Sequence, residues 1–144
     1  MTQFYLPEGL ADAIPEPFGL GNEYWDAARE ERLVVQRCAD CRAWQWTPEW
    51  VCSRCHSENL VFEQVQATGT LYAFTRIWHP VEAGLADSCP YVVAVVQLDE
   101  VPAVQMIGNL LVDAETEPTI GQPCEAVFEH HAGFTLVQWR PSGA

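Results

Sequence analysis

Lysine is absent from this 144-residue chain, whose basic residues are seven arginines at positions 29, 32, 37, 42, 54, 76 and 140. Against them stand 20 acidic residues, for a formal net charge of −13. Free nucleic acid is held by neutralising its phosphates with a basic surface, so it is not expected as a partner; an anionic membrane is disfavoured on the same ground. There is also no apolar run of about 18 residues, the length that crosses a bilayer, and no basic N-terminal segment leading into an apolar one. These absences predict a soluble, cytoplasmic protein. Nucleophile-elbow, P-loop and Rossmann fingerprints are missing too, and no catalytic residue is expected in this chain.

What is present is a cluster of thiols. Cys38-Ala-Asp-Cys41 and Cys52-Ser-Arg-Cys55 are two C-x-x-C pairs with ten residues between them. Such pairs bring four thiolates to one point with tetrahedral geometry. A thioredoxin-type redox motif expects one pair at the start of a helix, whereas this chain has two pairs with Pro48 between them. Cys38, Cys41, Cys52 and Cys55 are therefore the candidate ligands of one Zn2+ per chain. Iron of the same geometry is compatible with the ligand set, but all-thiolate structural sites are usually zinc. With four sulfurs bound, no coordination position remains for water or substrate, so the metal is expected to be structural. Cys89 and Cys124 stand apart and read as incidental small apolar residues.

Along the chain, residues 1–21 hold Pro7, Pro15 and Pro17 among Phe4, Tyr5, Leu6, Ile14 and Phe18, the pattern of an extended apolar arm that packs on a neighbour. Residues 22–60 read as a helix plus ribbon. Asn22 is the expected N-cap of a helix over Glu23–Arg32, and Leu33–Gln36 a strand feeding the first knuckle. Residues 61–144 read as short strands: 61–66, 69–78, 91–98, 104–112, 125–129 and 134–139. In the second of these, Leu71, Ala73, Thr75 and Ile77 are expected on one face and Tyr72, Phe74, Arg76 and Trp78 on the other. The nearly continuous apolar run 91–98 predicts a strand buried on both sides, Gly108 a bulge or sharp bend, and 82–88 and 113–122 loops. The fold class is mainly β, with an N-terminal helix and zinc ribbon before a five-stranded barrel of the OB type, an open sandwich being the other arrangement these strands allow.

The order of these pieces resembles a known family, acyl-CoA-associated proteins with a rubredoxin-like zinc ribbon followed by an OB-fold. The residues that carry the resemblance are the helix leading to Leu33, the two cysteine pairs with Pro48 four before Cys52, Gly69-Thr-Leu-Tyr-Ala-Phe-Thr75, Pro90-Tyr91 and Gly121-Gln-Pro-Cys-Glu-Ala-Val-Phe128. The chain departs from the family at Arg42, where glycine is usual, and at Ser53, where proline is usual. Neither is a ligand; the departures bear on the knuckle turns. The resemblance implies an accessory subunit of a thiolase-like enzyme, an aldolase or thiolase that makes or breaks carbon–carbon bonds of acyl-CoA, with steroid or aromatic acyl chains among the compatible substrates. It places the nucleophile and acid/base groups on the partner, with acyl-CoA shared between the chains. The symmetry of thiolase-like dimers makes two copies of each chain the expected assembly.

The residues expected to meet ligand or partner are Arg42, Trp44, Trp46, Trp50 and Arg54 in the ribbon, and Tyr72, Phe74, Arg76, Trp78 and His79 in the barrel. A ribbon of about twenty residues cannot bury three indoles alone. Arginines near the knuckles also offset the negative charge of a four-thiolate site, so the partner is expected to supply most of the charge that meets CoA phosphates. Two other classes stand beside this one: a nucleic-acid-binding ribbon and OB module, which has the aromatics but lacks the basic groove, and a stand-alone acyl-CoA-binding protein.

Overall fold

The structure, a computed structural model, describes residues 19–143. The predicted apolar arm therefore lies outside the described residues except at its end, where residues 19–21 lead into the first helix. That helix, α1, spans Asn22–Arg29. It begins one residue before the expected Glu23 and ends three residues short of the expected Arg32. Gly21, not Asn22, holds the N-cap position, without a side-chain cap. At the other end Glu31 turns into left-handed conformation, φ 59°, with its N–H on Ala28 O at 3.0 Å and that of Arg32 on Ala27 O at 2.9 Å. This pair of bonds satisfies the last carbonyls and stops the helix. The Glu31 carboxylate lies 3.0 Å from His130 Nε2, tying the helix end to the far hairpin. Ala27 and Ala28 are buried, and being small they let α1 approach closely the strands on which it packs.

Three strands form the first sheet in the order β2-β1-β3: β1 (Leu33–Cys38), β2 (Trp44–Gln45) and β3 (Leu60–Val65). β1 is covered on both sides, with Leu33, Val34, Val35 and Gln36 all buried. The chain then builds a closed barrel, β4-β5-β6-β8-β7, from β4 (Thr68–Ile77), β5 (Tyr91–Leu98), β6 (Gln105–Leu110), β7 (Pro123–His130) and β8 (Thr135–Pro141). This is the five-stranded barrel the sequence pattern predicts. Leu71, Val92, Ala94, Val96, Leu98, Met106, Leu110 and Trp139 fill it, and Leu33, Val35 and Val65 of the first sheet join the same core.

Three details differ from expectation. The bulge lies in β4 instead of at Gly108: Leu71 pairs with Val96 and Ala73 with Val95, so Tyr72 is the extra residue. One extra residue inverts the facing of everything after it. Leu71 and Phe74 consequently both turn to the core, which divides the predicted Tyr72-Phe74-Arg76-Trp78 face. Gly108 is in register with Ala94; a Cβ there would lie 2.9 Å from Val137 O and 3.0 Å from the Trp139 ring, so glycine answers a close approach. Finally, β5 alternates. Its even positions are buried, while Tyr91, Val93, Val95 and Gln97 are only half-buried on the outside. Within the barrel, consecutive burial falls instead on β8, where Val137, Gln138 and Trp139 are all buried and against which α1 packs. The predicted loop at 82–88 contains a 3-10 turn, Ala83–Ser88.

Candidate metal centre and flanking surfaces

The knuckles present the four cysteine sulfurs to one point: Cys38, Cys41, Cys52 and Cys55 Sγ all lie within 4.8 Å of one another. Cys38–Cys55 and Cys41–Cys52 are each 3.6 Å apart. A metal with sulfurs at about 2.3 Å in a tetrahedron requires sulfur–sulfur edges of about 3.8 Å, so the donor set and its spacing fit one tetrahedral ion. Backbone amides point at the sulfurs: Cys41 N–H lies 3.5 Å from Cys38 Sγ and Arg54 N–H 3.4 Å from Cys52 Sγ. The N–H groups of Cys55 and Arg54 pull the Cys52 thiol down to about 6. Cys55 is pushed up to about 12; the Ser57 N–H lowers it, but burial and the sulfurs of Cys41, Cys38 and Cys52 prevail. Four thiols this close oppose one another's ionisation, and a bound cation would relieve that repulsion.

The turns keep the shape that glycine would give. Arg42, after the first pair, has φ 64°, and His56, after the second, φ 62°. The departure from glycine at Arg42 therefore leaves the knuckle intact. Arg42 donates to Glu63 at 3.1 Å and Arg37 to the same carboxylate at 3.0 Å, and Arg37 first, with Arg42, holds Glu63 below the usual carboxylate range. Asp40, inside the first knuckle, accepts from Ser57 and from Asn59 Nδ2 beyond the second, and these bonds lower its pKa as well.

Beneath the knuckles runs a buried amide network that sequence reasoning missed. Gln36 Nε2 donates to Glu49 O at 2.9 Å, and Gln36 Oε1 accepts from Gln45 Nε2 at 2.6 Å and from Glu49 N–H at 2.9 Å. Gln45 Oε1 accepts from Ser53 N–H at 3.0 Å. Two glutamines thereby bind the inter-knuckle loop to β1 and β2 and deliver Cys52 to the cluster. The available signal was a glutamine in the run Leu33-Val-Val-Gln36, a polar residue in a strand otherwise marked for the core.

The tryptophans between the knuckles separate. Trp44 lies under Arg37, whose guanidinium carbon is 4.4 Å from the ring centroid, and Trp46 packs 4.9 Å from Tyr24; both rest against the core. Burial pushes the Tyr24 phenol well above its usual pKa. Trp50 is 70% exposed. In the barrel, Arg76 donates to the carbonyls of Ala114 and Thr116, each at 2.7 Å, and to Glu117 at 3.2 Å, fastening the loop between β6 and β7 to β4. Phe74 is packed on the core, while Tyr72, Trp78 and His79 are exposed. Six of the seven arginines face acids, pairing with Asp26, Glu30, Glu63, Glu117 and Glu125. Arg54 is the one without an acidic partner among the described residues. Near the other end of the barrel, His131 Nε2 lies 2.9 Å from the fully buried Glu129 carboxylate and its ring stacks on Phe134. No helix among the described residues is long and apolar enough to cross a membrane.

Comparison with known proteins agrees with this architecture. Residues 25–61 match the family described as ChsH2, rubredoxin-like zinc ribbon domain, and residues 62–129 the ChsH2, C-terminal OB-fold domain. A solved structure of an Ltp2-ChsH2(DUF35) aldolase is similar at 30% identity and TM-score 0.76, over 88% of this chain and 98% of that one. A DUF35-family protein of unknown function from Sulfolobus solfataricus shares the fold at TM-score 0.58 and 10% identity, over 87% of both chains. A Thermomonospora curvata protein described as a "probable enoyl-CoA hydratase alpha subunit" is 35% identical over 123 residues. That match takes in 84% of this chain, which spans only 37% of the curated relative's length. The chain belongs to the ChsH2 family, a rubredoxin-like zinc ribbon joined to a C-terminal OB-fold.

Proposed function

We propose that this chain is a non-catalytic accessory subunit that binds and supports a thiolase-like enzyme acting on carbon–carbon bonds of acyl-CoA substrates. The observation that carries the reading is its likeness, over 98% of the matched chain, to the ChsH2 component of a solved aldolase. The enzyme family named for the Thermomonospora relative, an enoyl-CoA hydratase, keeps the reading within acyl-CoA chemistry. Steroid or aromatic acyl-CoA is the substrate class we assign to the complex, and two copies of each chain its stoichiometry.

One zinc ion held by Cys38, Cys41, Cys52 and Cys55 has a structural role in this proposal. When bound it supplies a cross-link between the knuckles, and four sulfurs leave it no open position for chemistry. Among the contact candidates, Trp50, Arg54, Tyr72, Trp78 and His79 are accessible and are proposed to meet acyl-CoA or the partner. Trp44, Trp46, Phe74 and Arg76 support them from within the fold, while Arg42 is exposed and held by Glu63. With six arginines engaged by acids of the same chain, the positive charge that meets CoA phosphates is assigned mainly to the partner.

The test is co-expression with a thiolase-like protein from the same genome, followed by size-exclusion chromatography and zinc analysis. A zinc-containing heteromer is expected, with one zinc for each copy of this chain. A zinc-loaded monomer that elutes apart from the thiolase-like protein would contradict the proposal.

A further inference from the structure

The outer surface of the barrel carries an uncharged sheet face that no helix or strand of the described residues covers. Cross-strand register places Ala73, Val95 and Ile107 in one row and Thr75, Val93 and Asn109 in the next, across β4, β5 and β6. Their neighbours along the strands, Val92, Ala94 and Val96, are buried in the core, so these six point outward. Ile107 is 72% exposed. In a chain with 20 acidic and seven basic residues, the segments 71–77, 91–98 and 105–110 hold one charged residue, Arg76. Arg76 pairs with buried Val92 and turns to the loop carbonyls, leaving the outer face without charge. Helix α1 packs on β1, β7 and β8 and leaves this face uncovered.

A β-strand apolar on both sides belongs between two layers. β5 has such a sequence, and the monomer supplies one layer. A second copy is a poor candidate for the other, because pairing would bring together two chains of net charge −13. A different chain with an apolar face of its own meets no such penalty, and stable heteromeric interfaces are depleted of charge at their centres.

We infer that the outer β4–β5–β6 face is the surface on which the thiolase-like partner docks, through an apolar patch of that partner. The inference rests on the accessory-subunit reading and goes further, naming the part of this chain that makes the contact.

The test is the affinity between this chain and the co-expressed thiolase-like protein, measured for Ile107→Glu, Thr75→Glu and a control, Val61→Glu, on the outer strand of the ribbon sheet. All three positions are exposed, and thermal unfolding with zinc content checks that each isolated variant folds. Ile107→Glu and Thr75→Glu are each expected to weaken association by at least about tenfold, with Val61→Glu near wild type. Should Ile107→Glu fail to fold, Thr75→Glu carries the comparison. Wild-type affinity in both face variants would overturn the inference while leaving the accessory-subunit reading in place. An equal loss in Val61→Glu would also overturn it. Absence of any wild-type heteromer would remove both, and a wild-type homodimer dissolved by Ile107→Glu would show that the face is occupied by a second copy instead.

Discussion

Within the barrel, Leu71, Val92, Val96, Leu98, Met106, Leu110 and Trp139 are buried together, whereas from Cys38 to Asn59 the buried residues are Cys38, Gln45 and Cys52. The contrast separates two ways of holding a backbone. The barrel removes apolar surface from water, at about 25 cal/mol per Å2, and closes its strand ladder on itself. The knuckle segment has almost no apolar interior. Its order comes from four sulfurs aimed at one point, a pair of buried amides and the Asp40 clasp. One region should fail when its ligand is removed, and the other when its packing is disturbed.

The largest effect is expected from breaking the cluster. In Cys52→Ser, metal content falls to the background level and hydrogen exchange over 38–59 becomes fast, while β4–β8 keep their protection; binding of a structural zinc is worth about 10–16 kcal/mol in zinc-finger peptides. Loss of protection in the barrel to the same degree would show that the two regions are one cooperative unit. Next comes the reverse experiment. A Cβ at Gly69 would lie 2.5 Å from both Gln97 O and Val96 Cγ1, so Gly69→Ala should destabilise the barrel by about 1–3 kcal/mol or more in a denaturant titration. Metal stoichiometry should be unchanged.

Gln36→Leu sharpens the comparison within the ribbon. It fills similar volume but leaves Glu49 N–H without its acceptor and Gln45 Nε2 with only the 3.4 Å bond to Val51 O, at a cost of about 1–3 kcal/mol. Faster metal transfer to a chelator is the expected signature, with the barrel's unfolding less affected. The smallest effect is that of pH on the two carboxylates. Asp40 and Glu63 have depressed pKa values in the folded chain, so their contribution is present above the ordinary carboxylate range and is lost as pH falls through it and below. Asp40→Asn and Glu63→Gln should flatten that acid limb of a stability–pH curve.

Much of this was legible before the fold was known. Metal ligation is written in local spacing, so the cysteine pairs declared themselves, and strand lengths with turn residues between them sufficed for the barrel. What the residue pattern concealed depends on register. A single bulge at Tyr72 reverses the facing of Phe74 and Arg76, and nothing in alternating hydrophobicity marks it. The pairings of Arg37 and Arg42 with Glu63 join residues 26 and 21 positions apart, and the Gln36–Gln45 bond needs β1 and β2 already aligned. The run 91–98 announced two-sided burial, yet its outward positions are only half-buried among the described residues, as a face proposed for partner docking would be. That Arg54 is the arginine without an acidic partner among the described residues is a property of the folded surface.

The central claim is that this chain contributes binding surface and leaves the chemistry to its partner. The direct measurement is turnover of steroid and aromatic acyl-CoA substrates by the purified zinc-loaded chain, by the thiolase-like protein, and by the two together. No turnover is expected from this chain alone, and full activity only in the mixture. Carbon–carbon bond cleavage or formation by the isolated chain, or full activity of the thiolase-like protein without it, would contradict the account.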